Sequence, residues 1–144
     1  MSRDPSDAAV TSWARLVRAQ TKVLQAIETD LKAAGLPSLT WYDALLELGR
    51  STDGMRSVEL EGHLLLAQHN VSRLLVRLED AGLVRRAPDK NDGRAQIVSL
   101  TTAGRAMQKK MWPIYAAAID RSVGKKLTEA EANTLAGLLG KLIA

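Results

Sequence analysis

The chain has 144 residues, a formal net charge of +4, two histidines, no phenylalanine and no cysteine. That length can bury a core without covalent staples, and the missing cysteines exclude disulfides, thiolate metal sites and thiol redox sensing. Two histidines argue against an imidazole metal centre. No apolar run approaches the roughly 18 residues of a membrane span, and the polar start Met1-Ser-Arg-Asp-Pro5 has no signal-peptide core, so a cytoplasmic protein is expected.

Residues 6–34 set Trp13, Leu16, Val17, Val23, Leu24, Ile27 and Leu31 at helical spacing. Gly35 supplies a C-cap and Pro37 blocks continuation. So long a helix exceeds what a small domain covers, and a partner subunit is the economical explanation. Ser38 can cap a second helix over 39–50, with Tyr42, Leu45, Leu46 and Gly49 along one side; Ser51-Thr-Asp-Gly54 reads as a turn. Ser57 offers a cap for a short third helix over 58–65 that turns Leu60 and Leu64 inward.

After a tight connection at 66–68, a fourth helix over 68–81 divides cleanly by side. At about 100° per residue, Val71, Leu74, Leu75, Leu78 and Ala81 fall together, while His69, Ser72, Arg73, Val76 and Asp80 fall opposite, flanked by Asn70 and Arg77. Gln68, His69, Asn70, Ser72 and Arg73 carry the amides, hydroxyl and guanidinium that read base edges in a major groove. Val76 is either a solvated anomaly or a contact for a thymine methyl. Gly82 ends the helix, and Leu83-Val-Arg-Arg86 pairs with Gln96-Ile-Val-Ser-Leu100 as a hairpin whose exposed tip is Pro88 to Gly93. Asp92 and Arg94, two apart, share a side of that strand. The carboxylate either aims the guanidinium at the minor groove or a phosphate, or forms an ordinary hairpin ion pair.

Thr101 caps a further helix reaching to about Val123, with a kink expected near Lys109 because Pro113 removes a backbone donor. Thr128-Glu-Ala-Glu131 is a capping box for a last helix with Leu135, Leu138, Leu139 and Leu142 on one side. From Leu66 to Lys110 nine basic side chains face four acidic ones, so the excess positive charge lies on the reader, where DNA phosphates would meet it. The fold expected is mainly α with a small β-hairpin wing: a winged helix-turn-helix over 37–100, between dimerisation helices at 1–36 and 101–144.

The runs Leu39-Thr-Trp-Tyr-Asp43, Leu66-Ala-Gln-His-Asn-Val-Ser-Arg-Leu-Leu-Val-Arg-Leu-Glu-Asp-Ala-Gly-Leu-Val-Arg-Arg86, Asp92-Gly-Arg94 and Leu100-Thr-Thr-Ala-Gly104 resemble the MarR family of bacterial transcription regulators over nearly the whole chain. The resemblance implies a homodimer joined through its first and last two helices, binding a pseudo-palindromic operator in double-stranded DNA. It places Gln68, His69, Asn70, Ser72, Arg73 and Arg77 in the major groove and Asp92 and Arg94 on the wing; the basic residues Arg86 and Lys90 of the same region are further candidate DNA contacts. Two departures stand out. Ala67 replaces a common serine, so the recognition helix is expected to lack its usual side-chain cap and to fray without DNA, and Val76 replaces a commonly acidic residue.

The resemblance also implies a repressor released by a small aromatic or phenolic ligand. Trp13, Tyr42, Asp43, His63 and Trp112 are the candidate ligand residues, with structural aromatics in a Leu-rich core as the plain alternative. No nucleophile constellation, glycine-rich phosphate loop or metal-ligand spacing is present, so neither an enzyme nor a cofactor is expected. The other function class is a winged-helix module for DNA packaging or protein contacts without ligand sensing.

Overall fold

The computed structural model describes residues 3–66 and 70–144. The chain divides into two units, Leu31–Ile114 and the pair of segments Met1–Asp30 with Tyr115–Ala144.

In the segment pair, helix α1 (Asp7–Ala33) opens on Ser6, whose hydroxyl accepts the Ala9 amide at 3.1 Å. It closes past Ala33 on Gly35 at φ +71°, where the amides of Gly35 and Leu36 reach the carbonyls of Lys32 and Leu31, the bond pattern of a left-handed helix stop. Helix α5 (Thr102–Ile119) runs through Pro113 and ends in a single π-helical turn, Asp120–Gly124, where a continuous α-helix to about Val123 is expected from the sequence. The Lys125 amide there reaches back five residues to the Asp120 carbonyl. Arg121 of that turn binds Asp30 at 2.7 Å. The last helix, α6 (Glu129–Ile143), has the expected capping box: Glu131 N–H donates to the Thr128 hydroxyl at 3.1 Å, and Thr128 N–H to the Glu131 carboxylate at 2.9 Å.

The other unit holds the winged body. Its core gathers Leu45 and Leu48 of α2 (Leu39–Gly49), Leu60 of α3 (Ser57–His63), Val71, Leu74, Leu75 and Leu78 of α4 (Val71–Asp80), and Val84 and Val98 from the sheet. The sheet has three antiparallel strands rather than the two of the expected hairpin. β1 (Met55–Arg56) pairs with β3 (Gln96–Leu100), which pairs in turn with β2 (Val84–Pro88) from Val84 opposite Leu100 to Pro88 opposite Gln96. Pro88 therefore ends a strand instead of beginning the tip, which its missing donor permits at a strand end. Residues 102–114 fall in this unit, with Met107 packed against the winged core.

Three helix starts differ from the sequence reading. The Ser38 hydroxyl bonds the Thr40 hydroxyl at 2.8 Å and leaves the backbone of α2 uncapped by a side chain. Helix α3 begins on Ser57 itself, because Glu59 takes the Arg56 amide at 3.2 Å and makes Arg56 the cap position. Helix α4 begins at Val71, and Ala81 is its exposed C-cap residue rather than part of the buried side. Among the described residues no helix is long and apolar enough to cross a membrane, and no group of His, Asp and Glu could hold a metal ion.

Candidate nucleic-acid interface

Helix α4 is built to show one face. Val71, Leu74, Leu75 and Leu78 are buried, while Ser72, Arg73, Val76 and Arg77 are exposed on the other side. The helix starts where Asn70, at φ −143° and ψ 81°, accepts the Arg73 amide on its side-chain oxygen at 2.9 Å. That bond supplies the side-chain cap whose loss is expected from Ala67. It also gives Asn70 a structural duty, leaving its amide nitrogen as the group that could face a base. The helix stops at Gly82, φ +76°, with the Gly82 and Leu83 amides on the carbonyls of Glu79 and Leu78. Gln68 and His69, expected as base readers, lie outside the described residues.

The wing tip is a compact set of local hydrogen bonds. Asp89 N–H donates to the Ala95 carbonyl at 2.9 Å, Asn91 N–H to the Asp89 carboxylate at 3.0 Å, and Arg94 N–H to the Asp92 carboxylate at 3.1 Å. Asp92 thus holds the backbone of Arg94, not its guanidinium as the spacing suggested, since a carboxylate two residues upstream reaches the local amide first. The ion pair that ties the tip down is a different one. Arg56, at the junction of β1 and α3, places its Nε 3.0 Å from an Asp89 carboxylate oxygen and sets an Nη on the same oxygen. The Asn91 amide first, and the Arg56 guanidinium second, hold the Asp89 carboxyl below the usual range. Asp89 in turn raises Arg56. Lys90 and Arg94 remain exposed on the tip, without a carboxylate partner among the described residues.

Arg86 does not join them. On β2 it faces Glu79 with its Nε 3.8 Å away, and that Nε and one Nη are buried without a hydrogen-bond partner among the described residues. A guanidinium turned inward in this way is poorly placed for a phosphate, whereas its neighbour Arg85 is exposed.

Of the candidate ligand residues, the structure brings two into contact: Tyr42 and Trp112 stack with ring centroids 6.2 Å apart and planes 20° apart. Tyr42 is buried and Trp112 is 47% exposed. Asp43 is buried with its carboxylate on the Leu66 amide at 2.8 Å, and His63 is exposed at the end of α3. Trp13 is exposed and lies in the other unit. Sequence reasoning placed Asp89 in the hairpin tip but missed Arg56 as its partner, because a two-residue strand offers no periodicity to read.

A half-buried reading helix beside a hairpin tip that exposes Lys90 and Arg94 defines a winged helix-turn-helix DNA-binding protein. Residues 34–95 match the family model described as MarR family. The HTH-type transcriptional repressor Rv2887 of Mycobacterium tuberculosis is 32% identical over 97 residues, covering 67% of this chain and 69% of that protein. The protein therefore belongs to the MarR family, and its family and fold are those of DNA-binding transcriptional regulators rather than enzymes. Solved structures share the fold. Sco3205, a MarR family transcriptional regulator from Streptomyces coelicolor in complex with DNA, superposes with a TM-score of 0.88 at 22% identity, over 99% of this chain and 90% of that one. BpsR of Bordetella bronchiseptica, whose DNA binding is regulated by 6-hydroxynicotinic acid, gives 0.81 at 22% identity, over 93% of this chain and 99% of that one.

Proposed function

We propose that the protein is a homodimeric repressor that reads a pseudo-palindromic operator. Its α4 helices enter successive major grooves about 10 base pairs apart, and Arg94 of each wing reaches the adjacent minor groove or a phosphate. The observation that carries this reading is the exposed face of α4, where Ser72, Arg73 and Arg77 stand opposite a fully apolar buried face. The repressor name of the mycobacterial relative and the DNA bound to the Streptomyces regulator support it.

Sheared genomic DNA retained by the purified protein at near-physiological salt tests the reading, once the retained fragments are sequenced. A two-fold symmetric motif is expected; uniform retention would mean packaging, and none would mean a protein-contact module. On an enriched fragment, Arg73→Ala should relax base preference. Arg94→Ala should weaken binding to all sequences and flatten the salt dependence by about one unit of log–log slope. Unchanged site preference in Arg73→Ala removes α4 from the groove.

The same reading includes release by a small aromatic acid. Trp112, stacked on Tyr42 with nearly half its surface open, offers a ring face for such a ligand, and the regulation of BpsR by 6-hydroxynicotinic acid supports this class. Aromatic carboxylates, 6-hydroxynicotinic acid among them, should release the enriched fragment from the wild-type protein and fail to release it from Trp112→Ala. Release that is equal in both removes Trp112 from the ligand site.

A further inference from the structure

Asp43 is the one charged residue that is buried among the described residues, at 5% exposure. An isolated carboxylate in an apolar setting is costly and is kept only where it is hydrogen-bonded. Its partner is distant in sequence: Leu66 N–H donates to the Asp43 Oδ2 at 2.8 Å across 23 positions. Leu66 stands in sequence between the end of α3 at His63 and the Asn70 cap of α4. Leu64 N–H on the Leu60 carbonyl closes α3, and the Asn70 side-chain oxygen on the Arg73 amide opens α4. Asp43 holds the Leu66 amide between these two bonds.

The anchor itself is rigid. Leu39, Tyr42, Ala44, Leu45 and Leu48 are all buried, so α2 presents the carboxylate from a helix packed on several sides. We infer that Asp43 is a positioning residue for DNA recognition: through the Leu66 amide, α2 sets the depth and angle at which α4 presents Ser72, Arg73 and Arg77. The inference rests on α4 being the recognition helix. An apolar side chain at position 43 would pack more cheaply but would leave the Leu66 amide without its acceptor and α4 without that tie to α2.

Three variants test this on a fragment enriched from genomic DNA, with an unrelated fragment as control and with thermal melting and solution mass measured on each. Asp43→Ala removes the acceptor, Asp43→Asn keeps an acceptor oxygen at the same reach, and Asp43→Glu keeps charge and acceptor but lengthens the arm by one methylene. Asp43→Ala should fold yet bind the enriched fragment about tenfold or more weaker, the scale of losing a well-placed base contact, with control affinity unchanged. Asp43→Asn should recover most of the loss. Asp43→Glu should fold and still lose selectivity, which decides the matter should Asp43→Ala not fold. Wild-type affinity in a folded Asp43→Ala or Asp43→Glu overturns the inference, as does a loss that tracks melting temperature equally in all three. If the wild-type chain itself prefers no sequence, the recognition role of α4 falls and this inference falls with it; selective wild-type binding with unaffected variants removes Asp43 alone.

Discussion

Arg56 and Asp89 join the wing tip to the cap position of α3, so the tip's orientation depends on a carboxylate staying ionised. The folded-state value of Asp89 is depressed, by the Asn91 amide above all and by Arg56 next. A depressed carboxyl stabilises the fold above its unfolded value, about 3.9, and that contribution disappears as pH falls through the lower folded value. The wing should therefore stay anchored from pH 7 down to about 4 and loosen below it. Hydrogen exchange at the Asn91 and Ala95 amides should show the onset, and Asp89→Asn should show fast exchange at Asn91 already at neutral pH. Acid-independent protection of those amides in the wild-type chain would remove Asp89 as the anchor. Much at this scale was hidden from the sequence. Asp92–Arg94 had the conspicuous spacing, yet the partner of Asp89 stands 33 positions away, and only the short β1 brings it there. Asn70 was legible as a polar residue near the helix start, but its choice between cap and base reader depends on whether α4 opens at 68 or 71.

The junction of wing and α5 shows what the run Leu100-Thr-Thr-Ala-Gly104 does physically. The Thr101 hydroxyl donates to the Gly82 carbonyl at 2.7 Å and accepts the Gly104 amide at 3.0 Å, so it caps α5 and fastens it to the stop of α4. The Thr101 amide binds the Leu83 carbonyl at 3.1 Å. Gly104 lies against that same oxygen: a Cβ there would come within 2.1 Å of it and 2.5 Å of a Leu100 methyl. Gly104→Ala must push the start of α5 off the head of β2. The expected cost is about 1–3 kcal/mol, the range for overpacking a filled site, read as a lower denaturant midpoint. Gly137→Ala, with nothing within 4 Å of its Cβ, is the control and should not lower the midpoint. Equal midpoints for the two variants would mean the contact at Gly104 relaxes at no cost. At the scale of elements the sequence was informative wherever a period or a stop signal ran long enough. The buried stripe of α4, Gly35, Gly82, Thr101 and the capping box at Thr128 all do what their residue types suggest. The π-helical turn at Asp120–Gly124 has no such signal, because its residues suit an ordinary helix equally well.

At the scale of the whole molecule, the apolar residues left in water are concentrated on α1 and α6. Trp13 is 66% exposed and Leu142 67%, and Val10, Val17, Leu135 and Leu138 are exposed with them. The Leu stripe of α6, periodic enough to suggest burial, is thus uncovered within one chain. Leu16 and Ala19 of α1 and Leu135, Leu138, Leu139 and Leu142 of α6 line an open groove between the two helices. A contiguous apolar surface of this kind marks an interaction site, and for a two-fold operator the fitting occupant is the same pair of helices from a second copy. The double variant Leu138→Glu with Leu142→Glu places two charges per subunit in that groove. It should sediment as a folded monomer, and the wild-type chain as a dimer. Each monomer would still carry a complete α4 and wing, so binding to a single half-site should survive. Binding to the full operator should fall about 100-fold or more, because the second half-site no longer benefits from the high effective concentration that a tethered reader provides. A double variant that remains a dimer places the subunit contact on other surfaces. A monomer that keeps full operator affinity would show that one reader suffices, and the symmetry expected of the operator would have no counterpart in the protein.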